Sequence, residues 1–364
     1  MVDSVYIHIP FCLSKCNYCS FVSYEGVLNE KKEEYLSVLE KEIACTYKQE
    51  PLKTLYFGGG TPSLLEIIEL KSLIDCFNFA EDAEITIEVN PETVDLKYFK
   101  GLKDIGINRI SIGVQTFDDE ILKLIGRAHS AKRAVDTVQE AKDAGFENIS
   151  LDFIYGLPNQ TMEDFLSDLK KAISLDVKHI SLYGLKIDED CKFALNPPEN
   201  LPDDDLQADM YLGAISLMKE NDFVHYEISN FCKENYHSRH NLMYWESSEY
   251  YGFGAGAHGY LDGVRYANYT CLDDYKTRYN QKEVSLYIAE NNRLEEKIYL
   301  GFRKGSGINV SEINETFAMD FKTKYSSVLE KYTQTGHILE TPDGYKLSEN
   351  GFLLSNIILS EFLV

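Results

Sequence analysis

The chain has 364 residues, 44% of them hydrophobic and 26% charged, which suffices for a large core plus a second, smaller domain. Its formal net charge of −23 excludes an extended nucleic-acid-binding surface, which needs clustered Lys and Arg. It does not exclude a small anionic ligand, because salt screens distant carboxylates beyond about 8 Å and leaves a nearby Arg in control.

No run of roughly 18 or more apolar residues offers a membrane span. The opening segment, MVDSVYIHIPFC, lacks the basic start and small-residue cleavage site of a secretory signal. Eight cysteines at irregular positions form no disulfide-like framework, so a reducing cytoplasm is the expected location.

Short runs rich in Ile and Val predict strands at Val5 to Ile9, Thr54 to Phe57, Glu84 to Val89, Arg109 to Gly113, Asn148 to Phe153 and His179 to Tyr183. Helical periodicity between them predicts helices at Glu30 to Thr46, Leu64 to Phe77, Leu96 to Asp104, Ala131 to Ala144 and Met162 to Ser174. Gly106 and Gly145 read as helix ends, and Thr161 with Asp164 reads as a capping pair. Strands alternating with helices predict an α/β protein with a parallel sheet, as a partial or complete (β/α) barrel or a doubly wound open sheet. After Asp188 the pattern changes: Pro202-Asp203-Asp204-Asp205 starts a helix to about Glu220, and residues 236–270 are rich in aromatics and Gly. From about Asn291, helical segments precede a hairpin-like stretch turning at Pro342-Asp343-Gly344, which predicts a small winged-helix-like α+β domain. That unit carries eight Lys or Arg against ten Asp or Glu, which disfavours reading DNA. The expected division is 1–230, a linking region 231–290, and 291–364.

Cys12, Cys16 and Cys19 place three thiols within eight residues, just past the first predicted strand. Soft thiolates in one loop suit an iron–sulfur cluster, zinc or Cu(I). Three ligands on a four-iron cube would leave one iron open, as a reactive metal site requires. Gly58-Gly59-Gly60-Thr61-Pro62 follows the second predicted strand, where glycines permit close backbone approach to a ligand. It is not a P-loop, because no Gly-Lys-Ser/Thr follows. Further along, Glu88, Gln115 and Asp152 fall at predicted C-terminal strand ends, and Arg127 follows in Ile-Gly-Arg-Ala-His. The run Gly252 to Ala257 matches a dinucleotide fingerprint only superficially, since no strand–turn–helix surrounds it.

The spacing Cys-x3-Cys-x-Tyr-Cys, with GGGTP downstream, resembles the radical-SAM superfamily. The resemblance implies a 4Fe–4S cluster on Cys12, Cys16 and Cys19 and S-adenosylmethionine on the fourth iron. Within that superfamily the chain is similar to the oxygen-independent coproporphyrinogen III oxidase-like proteins, whose S-adenosylmethionine contacts correspond to Tyr6, Tyr18, Gly59, Gly60, Thr61, Glu88, Gln115, Arg127 and Asp152. The decarboxylases of that group carry a fourth cysteine two places after the third, where this chain has Phe21, and an extension before the first strand. His240-Asn241-Leu242-Met243-Tyr244-Trp245 instead resembles the HNxxYW motif of the heme chaperones called HemW. That branch implies heme as cargo, delivery to hemoproteins including respiratory, membrane-associated ones, and His240 as an iron ligand, with His237 and His258 as rivals. The cluster and cofactor would assist binding, transfer or dimerisation. Porphyrinogen decarboxylation is the competing expectation.

Overall fold

The computed structural model describes residues 2–26, 29–280, 283–287 and 290–363. It divides into two compact units, Met1–Met210 with Glu249–Tyr287, and Tyr211–Ser248 with Ile288–Val364.

The first unit is built on seven parallel strands: β1 (Ser4–Ile9), β2 (Leu52–Gly59), β3 (Phe79–Val89), β4 (Arg109–Gln115), β5 (Asn148–Tyr155), β6 (His179–Gly184) and β7 (Tyr251–Phe253). From β1 to β6 each strand pairs in parallel with the next in the chain, and β7 joins the free edge of β1. A doubly wound sheet would reverse direction after its first strands. From β1 to β6 this sheet keeps adding on one side, as a β/α barrel does.

Strand alternation sorts the residues onto two faces. Ile87, Ile110, Ile112, Leu151, Phe153, Ile180 and Leu182 are buried and apolar on one face. The other face carries Glu88, Ser111 and Asp152, and the register puts Glu88 beside Ser111 and Gly113 beside Asp152, itself beside Ser181. Sequence runs that look uniformly apolar therefore hide a polar interior row.

Helices α1 (Asn29–Thr46), α2 (Ile67–Ile74), α3 (Leu96–Asp104), α4 (Asp119–Leu124), α5 (Ala131–Asp143) and α6 (Met162–Ser174) connect the strands. The predicted Thr161–Asp164 capping box is present. The single helix expected from Leu64 is instead a 3₁₀ turn, Pro62–Leu64, followed by α2, because Leu65 is extended and Glu66 starts a new helix in a capping box with Glu69. The short helix α4, capped by Asp118, was not expected from periodicity. Three antiparallel strands, His258–Leu261, Val264–Ala267 and Glu283–Tyr287, complete this unit.

In the second unit, the hairpin Val224–Glu227 and Asn230–Cys232 precedes a helix at Arg239–Trp245. The C-terminal part has helices at Val310–Phe317, Phe321–Lys324 and Ser326–Gln334, then a three-stranded sheet ordered Ile308–Asn309, Gly344–Leu347, Ile338–Glu340. Phe302, Phe321, Tyr325 and Phe362 pack at its centre. This is the predicted winged-helix-like α+β arrangement. Among the described residues, no helix is long and apolar enough to cross a membrane.

Candidate active site

A cavity of about 340 Å³ opens at the C-terminal ends of the parallel strands. Its lining includes Cys12, Cys16, Tyr18, Cys19, Gly59, Gly60, Thr61, Glu88, Gln115, Arg127 and Asp152. Residues up to 140 positions apart in sequence thus meet because every β/α crossover returns the chain to the same end of the sheet.

The cysteine loop is held from several sides. Phe11–Cys12 pairs with Tyr24–Glu25, closing the loop on itself. The Asn17 N–H donates to the Ile125 carbonyl at 2.9 Å, and Asn17 Nδ2 donates to the Leu124 carbonyl at 2.9 Å, so α4 anchors its middle. The Phe193 N–H donates to the Asn17 carbonyl at 2.8 Å, and Ser20 Oγ donates to Asp188 at 2.9 Å. Tyr18 packs on an apolar cluster that includes Ile121, Ile125, Leu157 and Phe193. Burial pushes the Cys12 and Cys19 thiols up, which disfavours their bare thiolates.

The glycine turn lies against this loop. Gly59 has φ +111°, and a Cβ there would stand 2.5 Å from the His8 ring. A Cβ on Gly60 would meet the Phe11 carbonyl oxygen at 2.7 Å. Only glycine allows this approach. Thr61 Oγ1 donates toward Cys12 Sγ at 3.5 Å and accepts from Asn90 Nδ2 at 3.0 Å.

Arg127 is a half-buried cation on the cavity wall. Its Nη2 donates to Asn90 Oδ1 at 2.8 Å and to the Gly113 carbonyl at 2.7 Å, and Nη1 lies 3.6 Å from Cys16 Sγ. Burial opposes its charge, but Tyr18 and the Cys16 thiol hold the guanidinium above the usual arginine range. Glu88 accepts from Tyr56 Oη at 2.8 Å and from the Gly59 N–H at 3.2 Å. Burial raises its carboxyl to about 7 despite these bonds, with Asp152 adding to the rise. Asp152 accepts from Ser111 Oγ at 2.9 Å and is likewise raised by burial. Gln115 ends β4 at φ +69°, beside a register shift between Gly113 and Gln115, and lines the cavity.

Tyr6 stands apart from the other predicted contacts. It does not line the cavity; its hydroxyl lies 2.9 Å from His8 Nδ1 and its ring stacks at 6.2 Å on Tyr56. Asn90 and Tyr56 line the cavity and were not singled out from the sequence. Asn90 had a signal: a polar residue at a strand end before Pro91, two residues past the conspicuous Glu88.

Two family descriptions match the sequence, Radical SAM superfamily over residues 6–172 and HemN C-terminal domain over residues 288–354. A heme chaperone HemW of Bacillus subtilis (strain 168) is 36% identical over 377 residues, covering 100% of this chain and 99% of the relative. The heme chaperone HemW of Escherichia coli (strain K12) is 34% identical, covering 99% and 98%. The chain belongs to the HemW family. The solved structure of Escherichia coli coproporphyrinogen III oxidase (HemN), described as a radical SAM enzyme, superposes with a TM-score of 0.87 over 99% of this chain and 89% of that one. At 22% identity, that likeness speaks for a shared fold.

The radical SAM assignment implies a 4Fe–4S cluster and S-adenosylmethionine, and the residues present fit both. The cluster's donors would be three soft thiols on one cavity wall. For the nucleoside, Arg127 Nε is buried without a hydrogen-bond partner, a donor left for a carboxylate. Among the described residues, no group of three or more His, Cys, Asp or Glu could hold a single metal ion.

In the second unit His240 is 1% exposed, and its Nε2 lies 2.9 Å from Tyr244 Oη, with the rings edge-to-face. Ser238 caps the helix that carries both residues. His237 packs edge-on against Tyr226, and His258, in the first unit, is exposed. The Arg303 guanidinium lies 5.8 Å from the Trp245 ring centroid and 4.7 Å from that of Tyr299, so Trp245 is engaged within its own unit.

Proposed function

We propose that this HemW-family chain is a heme chaperone, binding heme and passing it to recipient hemoproteins. The observation that carries the reading is similarity along the whole chain to relatives named for that role. Exposed Phe21, at the place where the decarboxylases carry a fourth cysteine, supports it. In this reading Cys12, Cys16 and Cys19 hold the 4Fe–4S cluster. Arg127 pairs with the carboxylate of S-adenosylmethionine, Glu88 and Asp152 accept from its ribose hydroxyls, and Gly59, Gly60, Thr61, Tyr18 and Gln115 shape its bed. Tyr6 acts through His8 and Tyr56. When bound, the cluster supplies one-electron chemistry and an open iron coordination position. The protein's own residues exclude water and orient the nucleoside.

His240 is the proposed axial ligand to heme iron, which requires its imidazole to leave Tyr244. In this reading the recipients include respiratory, membrane-associated hemoproteins, and the chain acts in the cytoplasm and dimerises, with 1–230, 231–290 and 291–364 as its functional segments.

The test is anaerobic titration of the reconstituted full chain with heme, in wild type and His240→Ala, read by optical spectroscopy. Stoichiometric binding without conversion of coproporphyrinogen is expected, with an altered Soret band in the variant. Turnover of coproporphyrinogen to protoporphyrinogen would overturn the reading. Zinc in place of iron and sulfide, in anaerobically purified protein, would remove the cluster from it.

A further inference from the structure

Three large apolar side chains on the cavity lining face solvent instead of the core: Leu13 is 59% exposed, Phe21 65% and Tyr183 44%. Leu13 and Phe21 come from the cysteine loop, whereas Tyr183 comes from β6, so two separate elements contribute to one apolar rim. The rim is anchored. The Phe21 carbonyl accepts from Lys15 Nζ at 3.1 Å and from Ser23 Oγ at 3.2 Å, which fixes the main chain beneath the ring. Solvent-facing aromatic and aliphatic groups around a concave site mark a binding surface more often than scattered exposure does.

Two cations border the same rim. Lys15 and Lys186 both line the cavity, and Lys186 forms an exposed pair with Asp188. Such surface pairs contribute little and exchange partners readily. Farther in, the lining turns polar with Glu88, Ser111 and Asp152, a poor environment for an apolar plane but a good one for a nucleoside. The described lining contains no histidine.

We infer that the mouth of this cavity is a porphyrin-docking surface, on which Leu13, Phe21 and Tyr183 contact the macrocycle and Lys15 and Lys186 pair with its propionates. The inference rests on the heme-chaperone reading and assigns a place to the cargo. The apolar rim matches the flat face, the lysines match the two carboxylates, and the polar interior stays available for the nucleoside beneath. Without histidine in the lining, this surface grips the ring and its acids and leaves the iron to another group.

The reconstituted full chain is titrated anaerobically with heme, with iron-free protoporphyrin IX and with the dimethyl ester of protoporphyrin. Tyr183→Ser and Phe21→Ser are each expected to weaken heme binding about tenfold, and Lys186→Glu to do so in a salt-dependent manner. Iron-free protoporphyrin should compete with heme, whereas the dimethyl ester should compete at least tenfold less well. Tyr183 lies outside the cysteine loop, so Tyr183→Ser separates loss of the rim from loss of the cluster, with cluster absorption as the control. Wild-type affinity in Tyr183→Ser and Phe21→Ser, in protein that binds heme, would overturn the docking surface alone. Absence of heme binding by the wild type would overturn the chaperone reading, and the docking surface with it.

Discussion

Asn90 joins the two halves of the cavity wall: its Oδ1 accepts from Arg127 Nη2 at 2.8 Å, while its Nδ2 donates to Thr61 Oγ1 at 3.0 Å. One amide thus fixes the guanidinium that borders Cys16 and the hydroxyl that borders Cys12. Asn90→Ala leaves the half-buried Arg127 guanidinium short of an acceptor, an effect of about 1.5–3 kcal/mol for a hydrogen bond to a charged group. Affinity for S-adenosylmethionine should fall by roughly ten- to a hundredfold while the cluster absorption persists. Equilibrium binding to the reconstituted variant checks this, and unchanged affinity would remove Asn90 from the site.

Gly59 tolerates no side chain. Its φ of +111° strains any L residue, and a Cβ would enter the His8 ring, which is itself fixed by the Val22 carbonyl at 2.8 Å and Tyr6 at 2.9 Å. Gly59→Ala is expected to destabilise the protein by about 2 kcal/mol or more and to lower cluster occupancy. Denaturant unfolding together with iron and sulfide analysis would show it. A variant as stable as wild type, with a full cluster, would contradict the packing described.

Glu88 makes stability depend on pH. Its folded-state carboxyl, raised to about 7 chiefly by burial, holds a proton that the unfolded chain releases near 4.5. Between those values the native state binds more protons, so stability falls as pH rises from about 4.5 through about 7. Glu88→Gln should flatten this slope by about 1–3 kcal/mol over the window. Unfolding free energies measured at several pH values in both proteins test the sign. An equal slope would assign the effect elsewhere.

Glu42 secures the Gly-rich segment after β7. Fully buried in α1, it accepts from the Gly254 N–H at 2.9 Å, Tyr275 Oη at 2.7 Å and Asn268 Nδ2 at 2.8 Å. Glu42→Ala strands three buried donors and should cost about 3–5 kcal/mol. Glu42→Gln keeps the volume and one acceptor oxygen, so its loss should be smaller. Thermal unfolding of the two variants gives the ranking, and the reverse order would refute the network.

Six of the parallel strands, most of the helices and the cysteine loop were legible in the sequence because each rests on local chemistry, whereas the order of the strands, barrel-like or doubly wound, was not. Ile and Val runs, a Thr161–Asp164 cap and three thiols within eight residues need no distant partner to be recognised. The helix α4 was missed because six residues carry too little periodicity, although it supplies the carbonyls that seat Asn17. Asn90 was missed because its partners lie 29 and 37 residues away.

By itself, the sequence determined which side chains were available for the chemistry: the thiols, the glycine turn, the arginine and the carboxylates. Tertiary structure alone decided which of them converge, gathering Cys12 to Asp152 at one end of the sheet while keeping Tyr6 behind it and His240 against Tyr244. The reason is physical. Strand alternation and helix periodicity are short-range properties of the chain, whereas exposure and hydrogen-bond pairing depend on which segments the parallel crossovers bring side by side.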